Sequence, residues 1–214
     1  EWVNDSRLVF AQRAEELGQG LYGVNHDGSG YRPLVKSSHN FFKDPLETRE
    51  LLPGDTRMLG GTTRQNGDEV HVVTPKQNNR QRGVDLLTLQ RLNTVTGRSV
   101  EIDTPLHSFE WYMDRGGELR IVVTRDGEDG AVRLREADGS WTRVIEFKAR
   151  DPVSNHADPL YLSPEGQLYV SAPAHGDKAG IYTYDLKTRK LAAAPVLASK
   201  DFDLRPRFVA NDDK

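Results

Sequence analysis

The stretch Asn25-His26-Asp27-Gly28-Ser29-Gly30-Tyr31-Arg32-Pro33-Leu34-Val35, "NHDGSGYRPLV", packs two glycines, an acid and a hydroxyl ahead of an apolar run. Such a cluster belongs either to a ligand loop or to a turn between strands, and the two readings lead to different folds. As a calcium loop it offers Asn25, Asp27 and Ser29 with Gly30, but Lys36 falls where the bidentate glutamate of an EF-type loop is required. As a phosphate loop it lacks the Gly-Lys-Ser or Gly-Lys-Thr ending and leaves into the strand-like "YRPLV" instead of a helix. Asp-Gly between two apolar runs is, by contrast, a strong hairpin signal. Glycine reaches positive φ without strain, and a neighbouring Asp caps the turn with its carboxylate. The stretch therefore predicts a β-hairpin.

The rest of the chain follows the same grammar. Short runs rich in Val, Ile, Leu and Tyr recur between Gly, Asp, Asn or Pro: "EVHVVTP", "ELRIVVT", "AVRLRE", "WTRVIEF", "QLYVSAP" and "GIYTYDL". Val84 to Leu92 has some helical spacing, yet "LLTLQRL" also alternates and leads into the turn Asn93-Thr94-Val95-Thr96-Gly97, so a strand is expected there. Helix is expected only as a turn around Asp44 to Glu50.

These strands repeat in pairs. An opening hairpin is read at 2–10, 51–62, 109–123 and 160–173, with turns at Asp5, Asp55, Gly116 and Glu165, in steps of 50, 61 and 49 residues. A second hairpin follows each of them, at 20–35, 85–102, 131–147 and 180–197. Two hairpins make four strands, and a four-stranded unit repeated every roughly 40 to 50 residues is the mark of a propeller blade. The expected fold is all-β: a partial β-propeller of about four four-stranded blades, over 1–36, 50–103, 107–149 and 158–200, with 205–214 starting a further blade. The surplus of the second unit, "RQNGDEVHVVTPKQNNRQRGVD", is expected to be an elaborated loop or an extended hairpin. Because a propeller closes when its last blade meets its first, the chain is expected to be a section of a larger ring.

Composition narrows the function classes. Of 214 residues 36% are hydrophobic and 29% charged, and the apolar runs are too short for a helical membrane span. The net charge of −3 is spread along the chain without a basic block, which argues against nucleic acid as a partner. The absence of cysteine removes disulfides, thiol catalysis and thiolate metal sites.

Taken in order, "WVNDSRLVF", "GLYGVNHDGSGYRPLV", "LLPGD", the "DLLTLQRLNTVTG" strand and turn, and "FEWYMDRGGELRIVVTRDG" resemble the N-terminal propeller of bacterial prolyl oligopeptidase family serine peptidases, the dipeptidyl and acylaminoacyl peptidase-like group. The resemblance covers about the first 150 residues and runs more loosely to the end; single motifs are shared with TolB-like propellers. It implies a propeller that gates or positions peptide substrate over a separate α/β-hydrolase domain, expected beyond Lys214, that supplies a Ser, Asp and His triad. The nucleophile elbow Gly-x-Ser-x-Gly does not occur in this sequence. No catalytic, cofactor-binding or metal-binding residue is assigned on the chain, and substrate-binding residues are left open. The alternative is a TolB-like binding propeller that presents loops to a protein partner.

The remaining candidates are weighed on their spacing. His26, His39, His71, His107, His156 and His175 form no close ligand pair. Asp126, Glu128 and Asp129 read as a solvated hairpin end, and Trp111 and Trp141 as packing between blades. Arg64, Arg80 and Arg82 are the charged set of most interest, since an Arg can clamp a carboxylate in a bidentate manner, but none is assigned that role and no family residue is carried onto them. Open strand edges are expected to invite self-association.

Overall fold

The computed structural model describes residues 1–14, 18–36, 51–60, 67–76, 86–148, 157–175 and 178–208. The expected turn at 44–50, the histidines His39 and His156, and the arginines Arg64, Arg80 and Arg82 lie outside the described residues, as does the side chain of His175.

All regular structure in the described residues is β. The strands are β1 (Arg7–Ala14), β2 (Gly18–Asn25), β3 (Arg32–Pro33), β4 (Arg57–Met58), β5 (Glu69–Lys76), β6 (Leu86–Asn93), β7 (Ser99–Glu101), β8 (Ser108–Met113), β9 (Leu119–Asp126), β10 (Asp129–Arg135), β11 (Trp141–Lys148), β12 (Asp158–Leu162), β13 (Leu168–His175), β14 (Lys178–Asp185) and β15 (Lys190–Leu191). They form four antiparallel sheets in which neighbours in sequence are neighbours in space: β1-β2-β3, β4-β5-β6-β7, β8-β9-β10-β11 and β12-β13-β14-β15. Each is the up-and-down meander of a propeller blade. The first sheet reaches four segments because Trp2 bridges Leu8, while the amide of Val9 donates to the Glu1 carbonyl at 2.9 Å. The segment 84–92 is extended through β6, as its alternation indicates.

One hairpin departs from expectation. Leu52 does not fold back onto Arg57 and Met58; it bridges Val35 in parallel, and β4 finds its partner in β5. The turn that closes with the Thr56 amide on the Pro53 carbonyl at 3.0 Å redirects the chain between these two pairings. "EVHVVTPK" is consequently the second strand of its sheet, with Val70 and Val72 in the core.

The chain divides into two compact units, Glu1–Thr104 and Pro105–Lys214. Within the first, Val9 and Leu21 of one sheet pack with Val70, Val72 and Leu92 of the next. Within the second, Ile121, Val132 and Ile145 pack with Leu168, Val170 and Tyr182. In β9 Ile121, Val122 and Val123 are all buried, so this strand is covered on both faces and reads as a continuous apolar run without alternation.

Candidate functional site

The "NHDGSG" stretch is a turn. The Gly28 amide donates to the Asn25 carbonyl and the Asn25 amide to the Ser29 carbonyl, both at 2.9 Å, while Gly28 sits at φ 83°, where a side chain would be strained. The Asp27 carboxylate accepts the Ser29 amide at 2.9 Å and its hydroxyl at 2.6 Å. These bonds hold the Asp27 carboxyl below its usual value. The turn between β10 and β11 repeats this pattern: the Asp138 carboxylate accepts the amide and hydroxyl of Ser140 at 2.9 and 2.6 Å. Asp114 and Asp185 likewise accept backbone amides of their own turns. Four acids that could have suggested ligand loops therefore cap hairpins, which is why the pattern recurs from blade to blade.

The loop's contribution extends inward, through an arginine that the sequence reading passed over. Arg7, on β1, is only 2% exposed. Its Nε donates to the Thr94 hydroxyl at 2.8 Å, a terminal nitrogen to the Asn25 side-chain oxygen at 2.8 Å, and others to the Thr94 and Gly30 carbonyls. The Thr94 hydroxyl in turn donates to the Asp68 carbonyl at 2.8 Å, and Asn4 reaches Gly67 and Asp68. A Cβ on Gly23 would stand 2.7 Å from an Arg7 nitrogen, so only glycine leaves the guanidinium its place. Burial pushes the Arg7 pKa down, opposed by the Asp68 carboxylate. The signal was available: β1 alternates, and Arg7 lies two residues from the fully buried Val9 on the same face.

In the second unit, β8 and β12 bring together Glu110, Tyr112 and Asp158. The Tyr112 hydroxyl lies 2.9 Å from the Pro159 carbonyl and 3.0 Å from a Glu110 carboxyl oxygen. One hydroxyl proton serves one acceptor well. Both contacts are satisfied together when Glu110 is protonated and donates to the Tyr112 oxygen. Loss of water raises the Glu110 pKa, the Tyr112 bond lowers it, and Asp158 raises it further. Tyr112 is pushed well above the ordinary phenol range by its own burial and by Glu110.

The same unit carries an open cleft of about 850 Å³ over its first sheet. Thr124 of β9, Arg133 of β10 and Arg143 of β11 share its wall with Glu146, and His107 enters it from a left-handed backbone at φ 62°. Arg133 faces Arg143 across the β10–β11 ladder, its Nε bound to the Thr124 hydroxyl at 3.1 Å. Desolvation lowers the Arg133 pKa and the neighbouring Arg143 lowers it further, with Glu146 opposing. Arg143 pairs with Glu146 at 3.1 Å, and Lys148 with Asp129. Of the acids in "TRDGEDG", Asp126, Glu128 and Asp129 are all exposed at this hairpin end. Among the described residues no group of three or more His, Cys, Asp or Glu side chains could hold a metal ion.

The described histidines are scattered: His26 in the first turn, His71 buried in β5 and His107 at the cleft. Trp111 is buried on β8, whereas Trp141 is half-buried with the Arg135 guanidinium 5.8 Å above its ring.

No known protein-family profile matches this chain, and no curated protein matches it by sequence. Among solved structures it is similar to TolB from Acinetobacter baumannii, at 10% identity and a TM-score of 0.38, over 87% of this chain and 52% of that one. A structure described as one of two prolyl endopeptidases matches at 12% identity and a TM-score of 0.42, over 94% and 34%. A puromycin-hydrolysing peptidase of Mycobacterium tuberculosis matches at 13% and 0.40, over 89% and 38%. The chain thus spans about half or less of the length of these three proteins.

Proposed function

We propose that the chain is a non-catalytic propeller segment of a prolyl oligopeptidase family serine peptidase, spanning 1–214 as part of one ring, that gates or positions peptide substrate over a separate α/β-hydrolase domain. The observation that supports this is the use of its acids. Asp27 and Asp114, in turns that carry the resemblance, and Asp138 and Asp185, in later turns of the same kind, cap their own hairpins. What the architecture leaves for recognition is loops and clefts on rigid sheets, an arrangement suited to holding a peptide while another domain cleaves it.

In this reading the chemistry is an acyl-enzyme reaction of a serine supplied by the hydrolase domain. The purified 214-residue chain is expected to show no turnover of fluorogenic dipeptide amides, and the coding sequence past Lys214 to continue into a Gly-x-Ser-x-Gly elbow followed by Asp and His. Turnover by this chain alone would overturn the reading, and so would a stop codon within one or two blade lengths.

A second reading, a protein-binding propeller without an attached enzyme, is favoured by apolar exposure near one end of the described residues. Val196, Leu197 and Phe202, close together in sequence beyond β15, are 60%, 56% and 70% exposed. Large apolar side chains left to solvent are what a contact site for a partner requires. The stop codon that sinks the first reading is the result this one expects.

A further inference from the structure

The cleft over the β9–β11 face holds a cation, Arg133, that the described fold uses only through its Nε. Arg133 is half-buried, yet its one hydrogen bond among the described residues is that of Nε to Thr124. Its two terminal nitrogens have no protein partner there and open into the cleft. A half-buried guanidinium gains little from being left in this state. Its planar fork is built to meet two oxygens at once. It also stands opposite Arg143, a like charge that makes the empty arrangement less favourable and an anion between them more so.

The geometry points to this cleft as a binding site for a single carboxylate, held by the two terminal nitrogens of Arg133 with Arg143 as the neighbouring positive charge. The surrounding charges decide the class of anion. Arg143 pairs with Glu146 and Lys148 with Asp129, whereas Arg133 has no acid in contact among the described residues and feels Glu146 through space only, with Asp126 also on the wall. A singly charged, planar carboxylate fits one unmatched guanidinium. A dianionic phosphate would bring a second negative charge that no other unpaired cation lining the described cleft meets, and Asp126 would repel it. Thr124 positions the fork: its hydroxyl accepts from Arg133 Nε and donates to the Ala131 carbonyl at 3.3 Å, fixing which edge of the guanidinium faces outward. The site does not depend on the peptidase reading. A peptide terminus or an acidic side chain would present the same group.

The test is titration of the isotopically labelled 214-residue chain, followed by amide and arginine side-chain NMR. The probes are acetyl-trialanine with a free carboxylate, the same peptide as its amide, acetyl-Ala-Glu-Ala-amide, and inorganic phosphate. The free-carboxylate peptide is expected to shift resonances of β10 and β11, and its amide to shift none of them. Binding by acetyl-Ala-Glu-Ala-amide as well would mean that the site takes a side-chain carboxylate; no binding by it would confine the site to peptide termini. Arg133→Gln should weaken binding by about 10-fold or more, Arg133→Lys by several-fold because the fork is lost, and the exposed Arg143→Gln by about 3-fold. Should Arg133→Gln fail to fold, Arg143→Gln and Thr124→Val carry the test, each expected to weaken carboxylate binding while leaving the spectrum of the free protein folded. Equal binding of the amide, tighter binding of phosphate, no shifts with either carboxylate peptide, or unchanged affinity in the variants that fold would each overturn the assignment.

Discussion

The two units join their sheets differently. In the first, Val9 and Leu21 meet Val70, Val72 and Leu92, and beside this apolar contact runs a polar seam through Arg7, whose guanidinium ties β1 to Asn25 at the end of β2 and to Thr94 beyond β6. In the second, the seam is apolar, with Ile121, Val132 and Ile145 against Leu168 and Val170, and two phenols, Tyr112 and Tyr184, closing its ends on the carbonyls of Pro159 and Val144. The same meander can thus be joined by directed hydrogen bonds or by area. A polar seam fixes register, since its donors meet their acceptors in one arrangement only, and its removal leaves several groups unsatisfied at once. An apolar seam is graded, and loses stability in proportion to what is cut away.

The largest way to break the contrast is Arg7→Ala. It removes the donor that the Thr94 carbonyl, the Thr94 hydroxyl oxygen and the Asn25 side-chain oxygen share, in a largely buried place, and should cost about 3–5 kcal/mol. Hydrogen exchange should show protection lost at the amides of Leu92 and Thr94 while β13 and β14 keep theirs. A uniform loss across both units would mean that the seam of the first unit is not separable from the second.

Leu168→Ala is the counterpart in the apolar seam. Leu168 is fully buried between Leu162 and Tyr184 in the ladders, so the transfer and cavity costs together come to about 2–5 kcal/mol. Exchange should now accelerate in β13 and β14 first. Leu168→Met, which conserves volume, should recover most of the loss in urea denaturation, whereas no conservative replacement restores Arg7, because lysine cannot reach the same acceptors.

This contrast also marks where the sequence was legible. Strand runs and Asp-Gly turns announce themselves locally, so hairpins such as β10–β11 and β12–β13 were readable from alternation and turn chemistry. The pairing of Leu52 with Val35 was not, because "LLPGDTRML" carries apolar residues on both sides of a turn and nothing in it says which neighbour each side will choose. Arg7 was hidden for a related reason. A charged residue in a strand is ordinarily assigned to the solvent face, and only its phase with Val9 places it inside, where its partners include Thr94, far along the chain. The cleft around Arg133 is likewise assembled from three strands, none of which carries a ligand motif alone.

A smaller effect separates the hydrogen bonds of the two seams. Tyr184→Phe removes the donor that reaches the Val144 carbonyl at 2.8 Å and keeps the ring in the core, so it should cost about 1 kcal/mol. The thermal midpoint of this variant measures what a phenol adds to an apolar seam. A loss as large as that of Leu168→Ala would show that the second unit, too, is held chiefly by directed bonds.

The smallest expected effect is the response to pH, and it has opposite characters in the two seams. Arg7 keeps its proton throughout the accessible range, so its guanidinium contributes no pH dependence of its own. Glu110 does titrate. Its carboxyl stands above its usual value because of lost hydration, with the Tyr112 bond opposing and Asp158 adding to the rise. Folding therefore favours its protonated form, in which it can donate to Tyr112 while Tyr112 donates to Pro159. That stabilisation is complete below the unfolded pKa and is lost as pH rises through the higher folded value. Because the Glu110 side chain reaches water, the change is small. Glu110→Gln places a permanent donor beside the Tyr112 oxygen and removes the titration. Urea midpoints measured from about pH 4 to about pH 7 should fall for the native chain relative to the variant. Parallel curves would mean that the Tyr112 hydroxyl already satisfies the seam without a proton on Glu110.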